Sequence, residues 1–343
     1  MFNYNISKCH FASLLTYTLA MNAKLSMATK ESREHIELML KVARLYYEHN
    51  STQSEIAKEI GFSRPTVSRL LQESRERGIV VVKIQHPLER LMELEDALIN
   101  RFGLKCARVA QVQETQDPSV VVPKYAASLL IERSTPESLI TVSNGRAVSA
   151  TVREVPIHDW PKCNITQMVG ALSPSNPMMD SPDICRILAA RLGGAVTALH
   201  VPMILSSVEV ARVMRNEPQI HAALALGGGA DIALEGVGAV DERFPIPVFD
   251  SYVSSRMLRV LIAQGAVATV CGHFIDAEGK PVDSELSDRT ISVDLERLRH
   301  IPLVIGVAWG SEKVSAIRAC LKGGYLSALV TDQSTAEMLL ENS

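Results

Sequence analysis

Two glycine turns, each followed by a cation, are the residues of this chain best suited to chemistry. Ser143-Asn144-Gly145-Arg146 follows an apolar run and opens a helical one, and Trp309-Gly310-Ser311-Glu312-Lys313 does the same after Val304–Val307. Free N–H groups at a helix start, a flexible glycine and a cation together suit a phosphate. Lys313 offers either a point charge for that phosphate or, if desolvated, an amine beside a carbonyl. Cys271-Gly272-His273-Phe274 follows a third apolar run, where His273 can hydrogen-bond a ligand hydroxyl. Gly227-Gly228-Gly229-Ala230-Asp231 follows a fourth. Singly, each reads as a tight turn with solvated polar groups; two cation-bearing helix starts together point to an anion site.

The elements that must hold these loops alternate from Leu104 onward between apolar strands and amphipathic helices. Expected strands are Cys106–Val112, Leu139–Ser143, Ile165–Ala171, Ala195–Val201, Ala222–Gly227, Ala266–Cys271, Pro302–Val307 and Tyr325–Thr331. Helices are expected at Val120–Arg133, Asp183–Leu192, Ser251–Gln264 and Lys313–Leu321. Strands buried on both faces and separated by helices imply a doubly wound, mainly parallel sheet. Ligands of such sheets sit at the carboxyl ends of the strands, where these loops fall.

A different chemistry precedes that region. Ile36–Tyr47 places apolar residues at spacings of three and four, as a helix does. Ser51-Thr52-Gln53-Ser54-Glu55 caps a second helix that ends at Gly61. Ser63 caps a third, with Pro65 in its first turn, which stops at Gly78. The pattern Q-x-x-I-A-x-x-x-G-x-S-x-x-T-V-S-R-L is that of a helix-turn-helix. Ala57 allows close helix approach, and Ile56, Val67 and Leu70 fill the wedge. Gln53, Ser63, Arg64, Thr66, Ser68 and Arg69 are left as the candidate DNA-binding residues. In that geometry arginine forks onto guanine O6/N7, and hydroxyls hold phosphate oxygens. Ile79–Ile84 reads as a strand or small wing, and Leu88–Phe102 as a helix with a leucine stripe that packs on the next domain or on a second copy.

Charge divides in the same way. Residues 1–27 carry +2, residues 28–86 carry +2 and residues 87–343 carry −7, within an overall −3. A slightly basic head on an acidic body fits a nucleic-acid-binding module joined to something else. Hydrophobic residues at 47 % and charged residues at 21 % exclude a disordered chain. No charge-free apolar stretch of about 18 residues is present, which excludes a helical membrane span. The six cysteines are widely spaced, with no zinc-ligand pattern, and read as free thiols in a reducing cytoplasm. No metal or cofactor is expected. Residues 1–27 read as an unstructured or artefactual extension, despite the signal-length apolar run Phe11–Ala20; Met27 offers an alternative start.

From about Ile36 onward the chain resembles the SorC family of sugar-binding bacterial transcriptional regulators. The carrying segments are TQSEIAKEIGFSRPTVSRLL, Arg77-Gly78-Ile79-Val80, Leu188–Gly194, Cys271–Asp276, Ile301–Ala308, Ala316–Gly324 and Leu329–Asp332. The resemblance implies an α/β fold: an N-terminal winged helix-turn-helix at 28–86, a linker helix at 87–103, and an effector domain at 104–343. That last domain would resemble ribose-5-phosphate isomerase and glucosamine-6-phosphate deaminase. The resemblance also implies a homo-oligomer, dimer or tetramer, that releases or rearranges on operator DNA when a phosphorylated sugar binds. Ser143, Asn144, Gly145, Arg146, Thr269, His273 and Lys313 are the effector-binding candidates. Lys313 matches the family, whereas Ala147, Thr269 and Trp309 replace a threonine, an acid and a small residue. These departures cluster in the ligand pocket and spare the DNA-binding motif. The expected function is a cytoplasmic regulator of carbohydrate metabolism. The alternative is an isomerase- or deaminase-type enzyme with a DNA-binding head, whose base would be Asp231, Glu235 or His273.

Overall fold

The computed structural model describes residues 33–81, 87–113, 115–172, 180–243, 249 and 252–341. The extension expected at 1–27 lies outside them. The chain divides into two compact units, residues 1–85 and 86–343.

The first unit is helical: α1 (33–47), α2 (Gln53–Ile60) and α3 (Arg64–Glu76). Met39, Val42, Ile56, Ala57, Val67, Leu70 and Leu71 form its core. Gly61 ends α2 in the left-handed conformation at φ +72°, so the chain turns sharply into α3. The wing expected at Ile79–Ile84 does not form within the described part: Ile79 and Val80 are bends, with Ile79 packed on the helical core. Val82–Ile84 lie outside the described residues.

The second unit begins with α4 (Pro87–Phe102), β1 (Cys106–Ala110), α5 (Pro118–Arg133), β2 (Leu139–Val142), α6 (Arg146–Glu154) and β3 (Asn164–Gln167). It continues through α7 (Ser181–Leu192), β4 (Ala195–Thr197), α8 (Val208–Asn216), α9 (Pro218–Gly228), β5 (Ile232–Gly236) and β6 (Gly238–Ala239). Then come α10 (Ser255–Ala263), β7 (Ala268–Val270), β8 (His273–Ile275), α11 (Glu285–Arg289) and α12 (Leu295–His300). It closes with β9 (Leu303–Val307), a 3-10 turn at Ser311–Lys313, α13 (Val314–Lys322), β10 (Ala328–Asp332) and α14 (Gln333–Leu340).

Seven strands form one parallel sheet in the order β1-β10-β9-β5-β2-β3-β4. Alternate side chains of these strands enter two cores. Ile140, Val142, Ile232, Leu234, Ile305 and Val307 face α5, α6 and α7 on one side. Ala233, Val304 and Leu329 face α4, α13, α14 and the small sheet on the other. Helix α4, expected as a linker, belongs to this unit, because Leu91 and Leu98 are buried in the second core.

One expected strand is a helix. Ala222–Gly227 lies inside α9, which Pro218 opens in its first turn and Gly229 closes with N–H bonds to Ala225 and Leu226. Alanine and leucine are strong helix formers, and the β-branched residue that marks the true strand, Ile232, comes after the glycines. The triple glycine therefore leads into strand β5 rather than out of a strand. The Cys271-Gly272 turn is also not a strand-to-helix loop. It joins β7 to β8 in an antiparallel three-stranded sheet, β6-β7-β8, with φ +49° and +76° at the two turn residues. Two left-handed residues are what a tight two-residue hairpin demands.

Candidate functional site

Strands β2, β5 and β9 lie side by side and run parallel, so Ser143, Gly236 and Ala308 leave the sheet at one edge. From β2 the chain steps outward to β3 and β4; from β5 it proceeds the other way, to β9 and β10. The crevice between such diverging connections is where open α/β sheets hold ligands.

The helical turns that follow β2 and β9 both start without a side-chain cap. Gly145 precedes α6 at φ +106°, ψ 169°, and Gly310 precedes the Ser311–Lys313 turn and α13 at φ +100°, ψ 143°. Only glycine adopts this backbone readily, and both positions leave helix-start N–H groups open. Arg146 follows the first and Lys313 ends the second turn. Burial lowers the Lys313 pKa, and the positive charge of Arg146 lowers it further, while Glu312 opposes both. The three charges therefore share one neighbourhood. Lys313 Nζ donates to the Val237 carbonyl at 2.9 Å and stands 6.0 Å from the centre of the Trp309 ring.

The floor is polar and tied down. Ser143 is buried; its hydroxyl donates to Asn144 O at 3.3 Å and accepts from Gly236 N at 3.4 Å. Gly310 N donates to Thr335 Oγ1 at 2.9 Å and to Asp332 Oδ2 at 3.3 Å. Burial acts to raise the Asp332 pKa, yet the hydroxyls of Ser334 and Thr335 and the N–H groups of Thr335 and Gly310 hold it below the usual value. Asn144 Nδ2 points to Met203 Sδ at 3.4 Å. Thr269, opposite Gly238 in the β6–β7 ladder, lies so close that a methyl at Gly238 would come within 2.1 Å of its hydroxyl. Gly238 adjoins Val237, whose carbonyl holds Lys313, so Thr269 belongs to the same region.

His273 stands apart. Its Nε2 meets Ser292 Oγ at 2.9 Å, and it lines a cleft of about 520 Å³ with Arg215, Asp288, Asp294 and Arg297. Neither Ser143–Arg146 nor Lys313 lines that cleft. Burial, reinforced by the charge of Arg215, pushes the His273 pKa down to about 4, so the imidazole is neutral at pH 7. Asp231 accepts from Leu139 N at 2.8 Å, at the opposite edge of the sheet. Glu235 is 3 % exposed, accepts from Cys271 N at 3.1 Å through Oε1, and has no partner for Oε2 among the described residues. Burial pushes its pKa up to about 8, against the opposing pull of the Cys271 N–H and the Ser143 hydroxyl. Of the three bases considered for an enzyme, Asp231 lies at the opposite end of the sheet and His273 in a separate cleft, while Glu235, beside Ser143, is protonated and His273 neutral at pH 7.

In the helical unit the exposed face of α3 carries Arg64, Ser68 and Arg69. Ser63 accepts from Thr66 N at 3.4 Å and bonds the Thr66 hydroxyl at 2.8 Å, so these two hydroxyls organise the start of the helix. Gln53, half-buried, opens α2 behind the capping box of Thr52 and Glu55. Neither Glu312 nor Asp332 is among the site candidates read from the sequence, although both stand in segments quoted there. The signal for Asp332 was present, an acid directly after an apolar strand and three residues before a threonine.

An exposed arginine-bearing helix in one unit and an open, cationic strand-end crevice in the other define a ligand-responsive DNA-binding regulator. The family model described as "Putative sugar-binding domain" matches residues 86–341. The sorbitol operon regulator of Klebsiella pneumoniae is 31 % identical over 317 residues, covering 91 % of this chain and 100 % of that protein. A crystal structure of full-length SorC from that organism aligns with a TM-score of 0.71 over 90 % of this chain and 100 % of its own. The deoxyribonucleoside regulator of Bacillus subtilis is 31 % identical, with 90 % and 99 % covered. The transcriptional regulator LsrR of Klebsiella pneumoniae is 30 % identical, with 89 % and 93 % covered. The chain belongs to the SorC family of DNA-binding transcriptional regulators with a sugar-binding domain. Among the described residues no helix is long and apolar enough to cross a membrane.

Proposed function

We propose that a phosphorylated sugar binds at the strand-end crevice and controls how tightly the helix-turn-helix holds operator DNA. The observation that carries this reading is the pairing of two uncapped glycine helix starts, Gly145 and Gly310, with Arg146 and Lys313 in one neighbourhood. A phosphate there gains open N–H groups, two helix dipoles and two cations. Ser143 and Asn144 line the first loop, and Thr269 flanks Lys313; His273, in a separate cleft, is set aside from the phosphate end. On the DNA side Arg64 and Arg69 read base edges, while Gln53, Ser63, Thr66 and Ser68 hold position and phosphates. The protein acts in the cytoplasm as a homo-oligomer, since helix-turn-helix operators are paired half-sites.

Binding without turnover is favoured, because proton transfer at a sugar carbonyl needs a base within reach. Asp231 sits at the far edge, His273 in another cleft, and Glu235 is neutral. The test is a panel of sugar phosphates titrated against protein on labelled operator DNA, with product formation followed in parallel. A member that shifts DNA binding without being consumed supports the reading. Turnover would establish the enzyme instead, and no response from any member would remove the phosphate assignment.

A further inference from the structure

We propose that the cleft around His273 is a second ligand site, separate from the crevice, and that it takes a small uncharged polyol, a sugar or sugar alcohol without phosphate. Helices α8, α9 and α11, strand β8 and the start of α12 enclose about 520 Å³, a volume within the range of small-molecule sites. The cations in it are already engaged. One guanidinium nitrogen of Arg215 donates to the Asp288 and Thr290 carbonyls at 2.8 and 2.6 Å, tying α8 to α11, and Arg297 pairs with Asp294 at 3.4 Å. These two arginines face three aspartates, Asp283, Asp288 and Asp294, and His273 is neutral at pH 7. A phosphate ester brings up to two further negative charges and meets repulsion here, the reverse of the crevice with Arg146 and Lys313. Among the described residues the carboxylates of Asp283 and Asp288 form no hydrogen bond or ion pair, and both are exposed, as is His221. Deeper in, the His273 and Ser292 side chains are half-buried and bonded to each other at 2.9 Å. These carboxylates, imidazoles and guanidinium groups set donors and acceptors beside one another. Neighbouring hydroxyls of a polyol each donate and accept, so they bridge two such groups at once. Leu224 and Pro281 supply apolar wall for the C–H faces of the ligand. The protein thus reads a carbohydrate and its phosphate at two different places.

The test uses the full chain, with glucose, ribose, sorbitol and xylitol as probes in calorimetric titrations of the parent, Asp283→Ala, Asp288→Ala and Lys313→Ala. Both aspartates are exposed, so thermal unfolding of their variants should match the parent. The expected result is that one or more of the four probes binds the parent and binds Lys313→Ala equally well. At least one of Asp283→Ala and Asp288→Ala should weaken that binding about tenfold, the loss of one charge-assisted hydrogen bond. Binding that falls in Lys313→Ala instead puts the polyol in the crevice and overturns the second site. Binding unchanged in both aspartate variants overturns it too, as does no binding of any of the four by the parent. Inorganic phosphate is titrated alongside as the probe of the crevice. Its loss in Lys313→Ala, with retention in the aspartate variants, is the crevice's own test, so the two readings stand or fall separately.

Discussion

The two units close their helix starts differently. In the helix-turn-helix, Thr52 and Ser63 cap α2 and α3 with their own hydroxyls, so the backbone is satisfied and the chemistry projects from exposed side chains. In the α/β unit, Asp117, Ser207 and Asp332 likewise cap α5, α8 and α14, but α6 and the turn before α13 begin at bare glycines on one sheet edge. There the backbone itself is the recognition surface. A reader of DNA must be pre-formed before it meets its partner, whereas a sensor must leave groups unsatisfied until its ligand arrives.

The largest expected effect sharpens the contrast between exposed and buried polar groups. Glu235 is protonated in the folded state up to a pKa of about 8, while an unfolded glutamate ionises near 4.5. Its contribution to stability is therefore fully present below about pH 4.5 and is lost as pH rises through 8, at about 1.4 kcal/mol per pH unit across that window. Glu235→Gln keeps the shape and the donor and removes the titration. It should unfold like the parent at pH 4 and be more stable by up to about 4 kcal/mol at pH 8. Thermal unfolding of parent and variant across that range checks this, and parallel pH profiles would show that Glu235 is already ionised.

Next in size is the division of labour between the units. Lys313→Ala should lose about 1.5–3 kcal/mol of effector binding, tenfold or more, because charge-assisted contacts contribute that much. Its affinity for operator DNA without effector should not change. Arg64→Ala and Arg69→Ala should do the reverse, each weakening operator binding by about 1–3 kcal/mol and leaving effector affinity intact. Footprinting and calorimetry on the same three variants decide the matter. A variant that moves both measurements would break the separation.

Legibility in the sequence follows the same line. The helix-turn-helix could be read residue by residue, because Thr52, Gly61, Ser63 and the wedge residues act within one or two turns of themselves. The loops at Gly145 and Gly310 were also visible, since a glycine after an apolar run is a local signal. What could not be read was anything created by distant packing. Ala222–Gly227 looked like a strand because a short apolar run has no period of its own, and only its Pro218 start and glycine end make it helical. The sequence places His273 in a strand-to-helix loop because it follows an apolar run, but the hairpin turn puts it at the start of β8 beside Ser292, lining a separate cleft. Glu235 stood in plain view in an apolar run, yet its raised pKa comes from burial that the run alone does not specify.

The smallest effect tests whether the caps of the first unit are as structural as the comparison holds. Thr52 N donates to Glu55 Oε2 at 2.8 Å, and Glu55 N donates back to Thr52 Oγ1 at 3.3 Å. The Thr52 backbone N–H and hydroxyl hold the Glu55 carboxyl below its usual pKa, so the box persists to lower pH than an isolated glutamate would allow. Thr52→Ala removes the hydroxyl that closes one orphan N–H, a loss of about 1 kcal/mol in the helical unit. Thr52→Ser keeps that hydroxyl and should restore most of it. Neither variant alters the exposed Arg64 or Arg69, so operator affinity should stay within about twofold at temperatures where the unit is folded, the drop appearing instead as earlier melting. A Thr52→Ala protein that melts normally but binds operator tenfold more weakly would place Thr52 on the DNA. Thr52 would then join Ser63 as a cap that also contacts DNA, and the contrast with the open glycine starts of the α/β unit would fail at α2.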